Sequence, residues 1–192
     1  MAAPGPTEAS VEVKSRAELR DWLARNHALD GGIWLVSYKK GAGHYLPMGD
    51  IVAECLAFGW VDSRSRGLDA RRTMHYISPR KPGSGWSAAN KRLVARLEAD
   101  GQMHVAGASA IALAKANGSW SLLDDVENLV VPPDLGKALA ERPGATENWE
   151  SFPRSICRGT LAWIQAAKRP DTRQRRVTSA ADEAAAGIRT NR

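Results

Sequence analysis

Tyr76 to Arg92 reads YISPRKPGSGWSAANKR, and its three parts set how the surrounding chain folds. Tyr76-Ile77-Ser78 ends the stretch "RRTMHYIS", a strand-like start. Pro82 fixes its own φ and pushes Lys81 toward an extended backbone, while Gly83 and Gly85 permit a tight turn. Ser87 stands where a helix N-cap belongs; Leu93, Val94 and Leu97 then point inward, and Gly101 terminates the helix. The stretch predicts a strand, a Pro/Gly turn and a serine-capped helix running to about Asp100.

Upstream, "WVDSRSRGLD" supplies a second short strand around a Gly-Leu-Asp turn. "GIWLVSYKK" is apolar on both faces and is expected inside a sheet. Asp50 is placed to cap a short helix over Ile51 to Phe58, stopped by Gly59. "SRAEL" from Ser15 is a capping box, with Leu19, Trp22 and Leu23 at helical spacing. Residues 1–10 read as a loose tail.

Downstream the strand signals stop at about residue 79. "GASAIALAKANG" is an Ala-rich helix, and Ser121 opens a second capping box. Pro132-Pro133-Asp134 starts a helix bearing Leu135, Ala138 and Leu139, closed by Pro143-Gly144. A helix from about Ser155 to Lys168 places Ile156, Thr160, Trp163, Ile164 and Ala167 on one side. Pro170 interrupts, and Val177, Ala181, Ala184 and Ile188 mark a last helix. The expected fold is α+β: a small sheet packed with helices over residues 11–120, then an all-helical domain over residues 121–192.

The composition supports a real core, with 43% apolar and 25% charged residues among 192. The N-terminus lacks the basic start and apolar run of a signal peptide, and no apolar stretch approaches the roughly 20 residues that span a bilayer. The expected location is therefore the cytoplasm. Cys55 and Cys157 form neither a metal motif nor a disulfide framework and read as small core residues. Charge is segregated: residues 62–96 carry nine Lys/Arg and two Asp, and residues 154–176 seven Lys/Arg and one Asp. The remainder is net negative, so positive charge concentrates where an anionic partner could be met.

Three constellations are candidates for chemistry. In the first, Arg80, Lys81 and Lys91 stand beside the turn of Ser84, Trp86, Ser87 and Asn90, where a helix N-terminus can grip an anion. The plain structural reading is a well-capped turn, and "GSGWSAANK" lacks the order of a Walker loop. Trp86, between Ser84 and Ser87, is expected partly exposed. In the second, Arg64 and Arg66 point to one face if "DSRSRG" is a strand, which suits a polyanion or simply guards a sheet edge. The third is "AKRPDTRQRR", where Arg173 and Arg176 share a helix face of the kind usually solvated.

Signs of catalysis are thin. His27, His44, His75 and His104 share no metal spacing, and no nucleophile elbow occurs. No metal or cofactor is expected. Asp62 and His75 would form an acid/base pair if they met across the hairpin, and a pocket lined by Asp62, His75, Arg80, Trp86 and Asn90 is the alternative, enzymatic reading. Asp124, Asp125 and Glu127 read as helix N-terminal acids.

"GIWLVSYKK", "CLAFGWVDS", "SPRKPGSGWSAANKR", "AKANGSW", "VPPDLGKAL" and "AKRPDTRQRR" occur in that order. Together they resemble the YdeI/OmpD-associated family, also described as bacteriocin-protection proteins, from about Trp22 to Ile188. The resemblance implies a bacterial stress-response or binding role and brings no catalytic residue set with it. After Arg154-Ser155 the chain departs from the family pattern, with Ile156 and Cys157 before Arg158 alone. The expectation is a cytoplasmic protein, leaning non-enzymatic, that engages an anionic ligand or an unknown protein partner through its basic surface. Nucleic acid is the less favoured partner, because no stacking aromatics interleave the third basic run.

Overall fold

In a computed structural model, which describes residues 9–191, Ile33–Tyr38 forms β2 inside a four-stranded mixed sheet. It pairs in parallel with β1 (Ser10–Glu12) and antiparallel with β4 (Arg72–Pro79), and β3 (Trp60–Gly67) closes the edge in the order β1-β2-β4-β3. This internal place explains why β2 is apolar on both sides. β1 lies outside the range in which strand signals are expected, because three residues are too few for alternation to appear. Of the tail expected over residues 1–10, residues 1–8 lie outside the described residues. Ala9 accepts the Trp34 N–H at 3.0 Å and Ser10 opens β1.

The chain divides into two compact units, with the boundary between Ser121 and Leu122. In the first unit, helices cover one face of the sheet. α1 (Arg16–Asn26) begins at Ser15, whose Oγ accepts the Glu18 N–H at 3.2 Å. α2 (Met48–Ala57) starts at Pro47 rather than at Asp50, which lies in its first turn, and ends at Gly59, φ 74°. α3 (Ala88–Ala99) is capped by Ser87, whose Oγ accepts the Asn90 N–H at 3.2 Å. α4 (Val105–Ala116) is capped by His104 Nδ1, which accepts the Ala106 N–H at 3.2 Å. Leu19 and Leu23 of α1, Ile51 and Leu56 of α2, Val94 and Leu97 of α3 and Ile111 of α4 share one core with Ile33, Leu35, Trp60 and Ile77 of the sheet. The opposite sheet face carries a separate cluster of Trp34, Val36 and Met74, with Leu68 and Tyr76 packed on it.

The second unit is helical: α5 (Asp124–Glu127), α6 (Pro133–Ala140), α7 (Ala145–Ser151), α8 (Arg154–Gln165) and α9 (Pro170–Ala185). Ser121 caps nothing here. Its Oγ donates to the Gly118 carbonyl, and Leu123 precedes α5 with no side-chain cap. Pro143-Gly144 does end α6, but Gly144, φ 73°, immediately launches α7, so one left-handed glycine serves as stop and start. α8 buries Cys157, Thr160, Leu161 and Ile164, a face rotated from the expected one. Pro170 occupies the first turn of α9, where its missing N–H costs nothing. Val177, Ala181 and Ala184 are buried as the spacing requires, whereas Ile188 lies beyond the helix and is exposed.

Candidate functional site

The sheet face away from the helices carries the most distinctive arrangement. The β3–β4 register slips at Ser63: Asp62 opposes Ile77, yet Arg64 opposes Tyr76 and Arg66 opposes Met74. One extra residue is accommodated as a bulge. Asp62 thus shares the helix-covered side with Ile77, while Arg64 and Arg66 lie on the open side, together, as a strand in this segment predicts. Arg64 sits 4.8 Å from the Tyr76 ring centre and 5.4 Å from that of Trp34, and Arg66 4.1 Å from Trp34. The rings themselves meet edge-on at 5.3 Å. Arg66 Nε donates to Met74 Sδ at 3.4 Å, whereas the Arg64 guanidinium, laid on the rings, keeps its in-plane N–H edge for an external acceptor. Trp34 and Tyr76 were legible only as sheet residues; the register is what brings them beneath the arginines.

Other cations of this segment are engaged internally. Arg72 pairs with Glu12 and with Asp69, each at 2.7 Å; the Tyr38 hydroxyl and then Arg72 hold the Glu12 carboxyl below its ordinary value, and Arg72 does so first at Asp69. Arg71 donates to the Ala42 carbonyl at 2.9 Å.

On the helix-covered side, Asp62 and His75 do not meet as an acid/base pair. His75 stands opposite Ser65, with Nδ1 2.7 Å from Ser65 Oγ and Nε2 3.2 Å from Ser37 Oγ. Asp62 nevertheless acts on three groups at once. Burial lowers the His75 and Arg80 pKa values and Asp62 partly opposes it, while burial, with Asp62 adding to it, pushes the Cys55 thiol up. Burial outweighs Asp62 at His75, whose pKa is lowered. The folded state therefore holds that proton less readily than the unfolded chain. The stabilisation is complete above the ordinary histidine value of about 6.5 and is lost as the pH falls from there through the lower folded value. Melting temperatures measured from neutral to mildly acidic pH are expected to fall, and His75→Asn is expected to flatten part of that slope. An unchanged slope would show that His75 is not responsible; His104, also lowered by burial and by His27 and Arg20, accounts for a further part.

The turn that follows β4 is fastened at several points. The Arg80 N–H donates to the Gly59 carbonyl at 2.9 Å, and the Pro82 carbonyl accepts from Asn117 Nδ2 at 3.0 Å and from Ser119 Oγ at 2.9 Å. Trp86 is not partly exposed: it is 1% accessible, packed on Trp120 at 5.1 Å, with the Arg80 guanidinium 3.8 Å above its ring. The indole is the plug that closes the core beneath the turn. Arg80 Nη2 donates to the Gly85 carbonyl, while Nε and Nη1 are buried with no hydrogen-bond partner. Lys81 is exposed, Ser84 half-buried, and Lys91 lies over the Trp120 ring at 5.3 Å. Ser87 and Asn90 serve the cap of α3.

The third basic run is structural in part. Arg173 forms a forked pair with Asp134, 2.7 and 2.9 Å, and Arg176 donates to the Trp163 carbonyl while stacking on its ring. Cys55 and Cys157 are both free and buried. Among the described residues no three His, Cys, Asp or Glu side chains are grouped to hold a metal ion, and no helix is long and apolar enough to cross a membrane.

These features define a two-unit protein: an α+β unit with an arginine-capped aromatic sheet face, and a separate helical unit. The chain belongs to the family described as Domain of unknown function (DUF8412), whose model matches residues 11–110. Residues 128–187 match the family described as Bacteriocin-protection, YdeI or OmpD-Associated. The resemblance read from Trp22 to Ile188 is thus confirmed in the helical unit; the motifs up to Arg92 lie in the other family's domain, and AKANGSW, residues 114–120, lies between the two matches. No curated protein and no solved structure matches the chain.

Proposed function

We propose that this YdeI/OmpD-associated-type protein is a cytoplasmic, non-enzymatic binding protein of the stress response that engages an anionic ligand or partner through its α+β unit. The observation that carries this reading is the side-by-side stacking of Arg64 and Arg66 on Trp34 and Tyr76. Arg64 has no acidic partner among the described residues, and both arginines are exposed. Stacking reduces the freedom each guanidinium loses on meeting an anion. Lys81 adds exposed charge from the neighbouring turn.

The test is salt-dependent retention on a polyanion column. Arg64→Ala/Arg66→Ala is expected to elute at clearly lower salt than the unaltered protein. Arg154→Ala/Lys168→Ala, which removes the same charge elsewhere, is the control. Equal losses from both pairs would reduce the site to net charge alone.

A second reading, a small-molecule or enzymatic pocket at Asp62, His75, Arg80 and Trp86, is favoured by the two buried, unpartnered Arg80 donors. A small anion at Arg80 would lift the His75 pKa toward its ordinary value. A His75 titration, followed by NMR, that does not move when phosphate is added removes this reading.

A further inference from the structure

The helical unit contains a cavity of about 270 Å³ walled by Val126, Val131, Leu161 and Ile164. Three polar side chains also line it: Asp125, Gln165 and Arg173. Their hydrogen bonding is lopsided. Arg173 has Nε and Nη2 committed to Asp134. Gln165 has its amide N–H directed to the Leu122 carbonyl, which fixes the orientation of the amide and turns Oε1 the other way. That oxygen is buried and accepts no hydrogen bond. Asp125 has no ion pair among the described residues. The Arg173–Asp134 pair is neutral as a unit, so Asp125 leaves the cavity with an uncompensated negative charge. Pro132 and Pro133 form part of the wall and keep it preformed.

We propose that this cavity binds a small amphiphilic amine, with its short apolar chain against Val126, Val131, Leu161 and Ile164 and its ammonium donating to Gln165 Oε1 and Asp125. The site offers two acceptors unpaired among the described residues, Gln165 Oε1 and Asp125, while Arg173 Nε and Nη2 and a Gln165 amide N–H are committed elsewhere. A neutral alkyl group would fill the volume but leave Gln165 Oε1 unsatisfied, and a carboxylate would place like charge beside Asp125 and a lone pair against Oε1. The inference concerns the helical unit and does not rest on the anion-binding reading of the α+β unit.

Hexylamine, hexanol and hexanoate, equal in chain length, separate the outcomes on the full-length protein. Titrations followed by methyl NMR are expected to move the Val126, Val131, Leu161 and Ile164 signals, with hexylamine binding at least about fivefold tighter than hexanol and hexanoate weakest. Gln165→Leu is expected to bring hexylamine to within about twofold of hexanol while hexanol binding persists. Should Gln165→Leu disturb the fold, Asp125→Asn, at an exposed position, is expected to reduce the amine preference alone. Equal binding of the three probes, methyl shifts elsewhere or none, or an amine preference untouched by both substitutions would overturn the proposal.

Discussion

Alanine at both Arg16 and Arg20 is expected to destabilise the α+β unit by about 3 kcal/mol, the lower end of what stranding a buried charge costs. Glu54 lies on α2, 1% accessible, with Arg16 Nε 2.6 Å from one carboxylate oxygen and Arg20 Nη1 2.9 Å from the other. The same two arginines reach Gln102, through its side-chain oxygen and its backbone carbonyl. The network therefore clamps α1 to α2 and to the segment before α4. The arginine side chains are 38% and 37% accessible, so water reaches them and moderates each single loss. Removing both leaves a carboxylate in the core with no partner. Adding Glu54→Leu to the double variant is expected to recover roughly 2 kcal/mol, because no ion is then buried. Urea unfolding of the unaltered protein and the two variants decides it; a triple variant no more stable than the double would mean the loss is packing, not charge.

Gly107→Ala is expected to cost about 3 kcal/mol or more, toward the upper end for overpacking, and to lower the melting temperature by roughly 10 °C. A β-carbon at this position would lie 2.2 Å from the Ala57 carbonyl oxygen and 2.7 Å from its carbon. Both are backbone atoms at the end of α2, so no side chain can swing away. Relief requires α4 to withdraw, which also stretches the 3.1 Å hydrogen bond from the His104 N–H to that same carbonyl. Gly49→Ala is the contrast. It stands in the first turn of α2 with nothing within 4 Å, and is expected to be neutral or to gain a few tenths of a kcal/mol from helix propensity. Similar melting temperatures for the two variants would show that α2 and α4 tolerate separation.

Local chemistry made much of this fold legible. Ser15 and Ser87 cap the helices they precede, and β2 announces its internal place through an unbroken apolar run. The failures are long-range. Gly107 reads as the start of an Ala-rich helix, and only the approach of α2 reveals why it must be small. Trp86 sits among serines and glycines that suggest a surface turn, yet Trp120, distant in sequence, receives it. Arg173 looks like a solvated cation until Asp134 is found opposite. In the candidate sheet site, alternation is enough to put Arg64 and Arg66 on one side, but the aromatic rings below them depend on cross-strand register, which one strand's sequence does not specify.

The bulge at Ser63 makes the register of β3 matter more than its composition. Without the slip, with Ser63 paired regularly, Asp62, Arg64 and Arg66 would share one side of the sheet. With it, a single strand delivers an acid to the interior and two cations to the outside. Deleting Ser63 would therefore straighten the strand rather than invert it: Asp62 would still oppose Ile77 and Arg64 would still oppose Tyr76, now as neighbours on opposite faces. Relatives that keep this division of labour therefore need either the slip or an odd spacing between the acid and the first arginine.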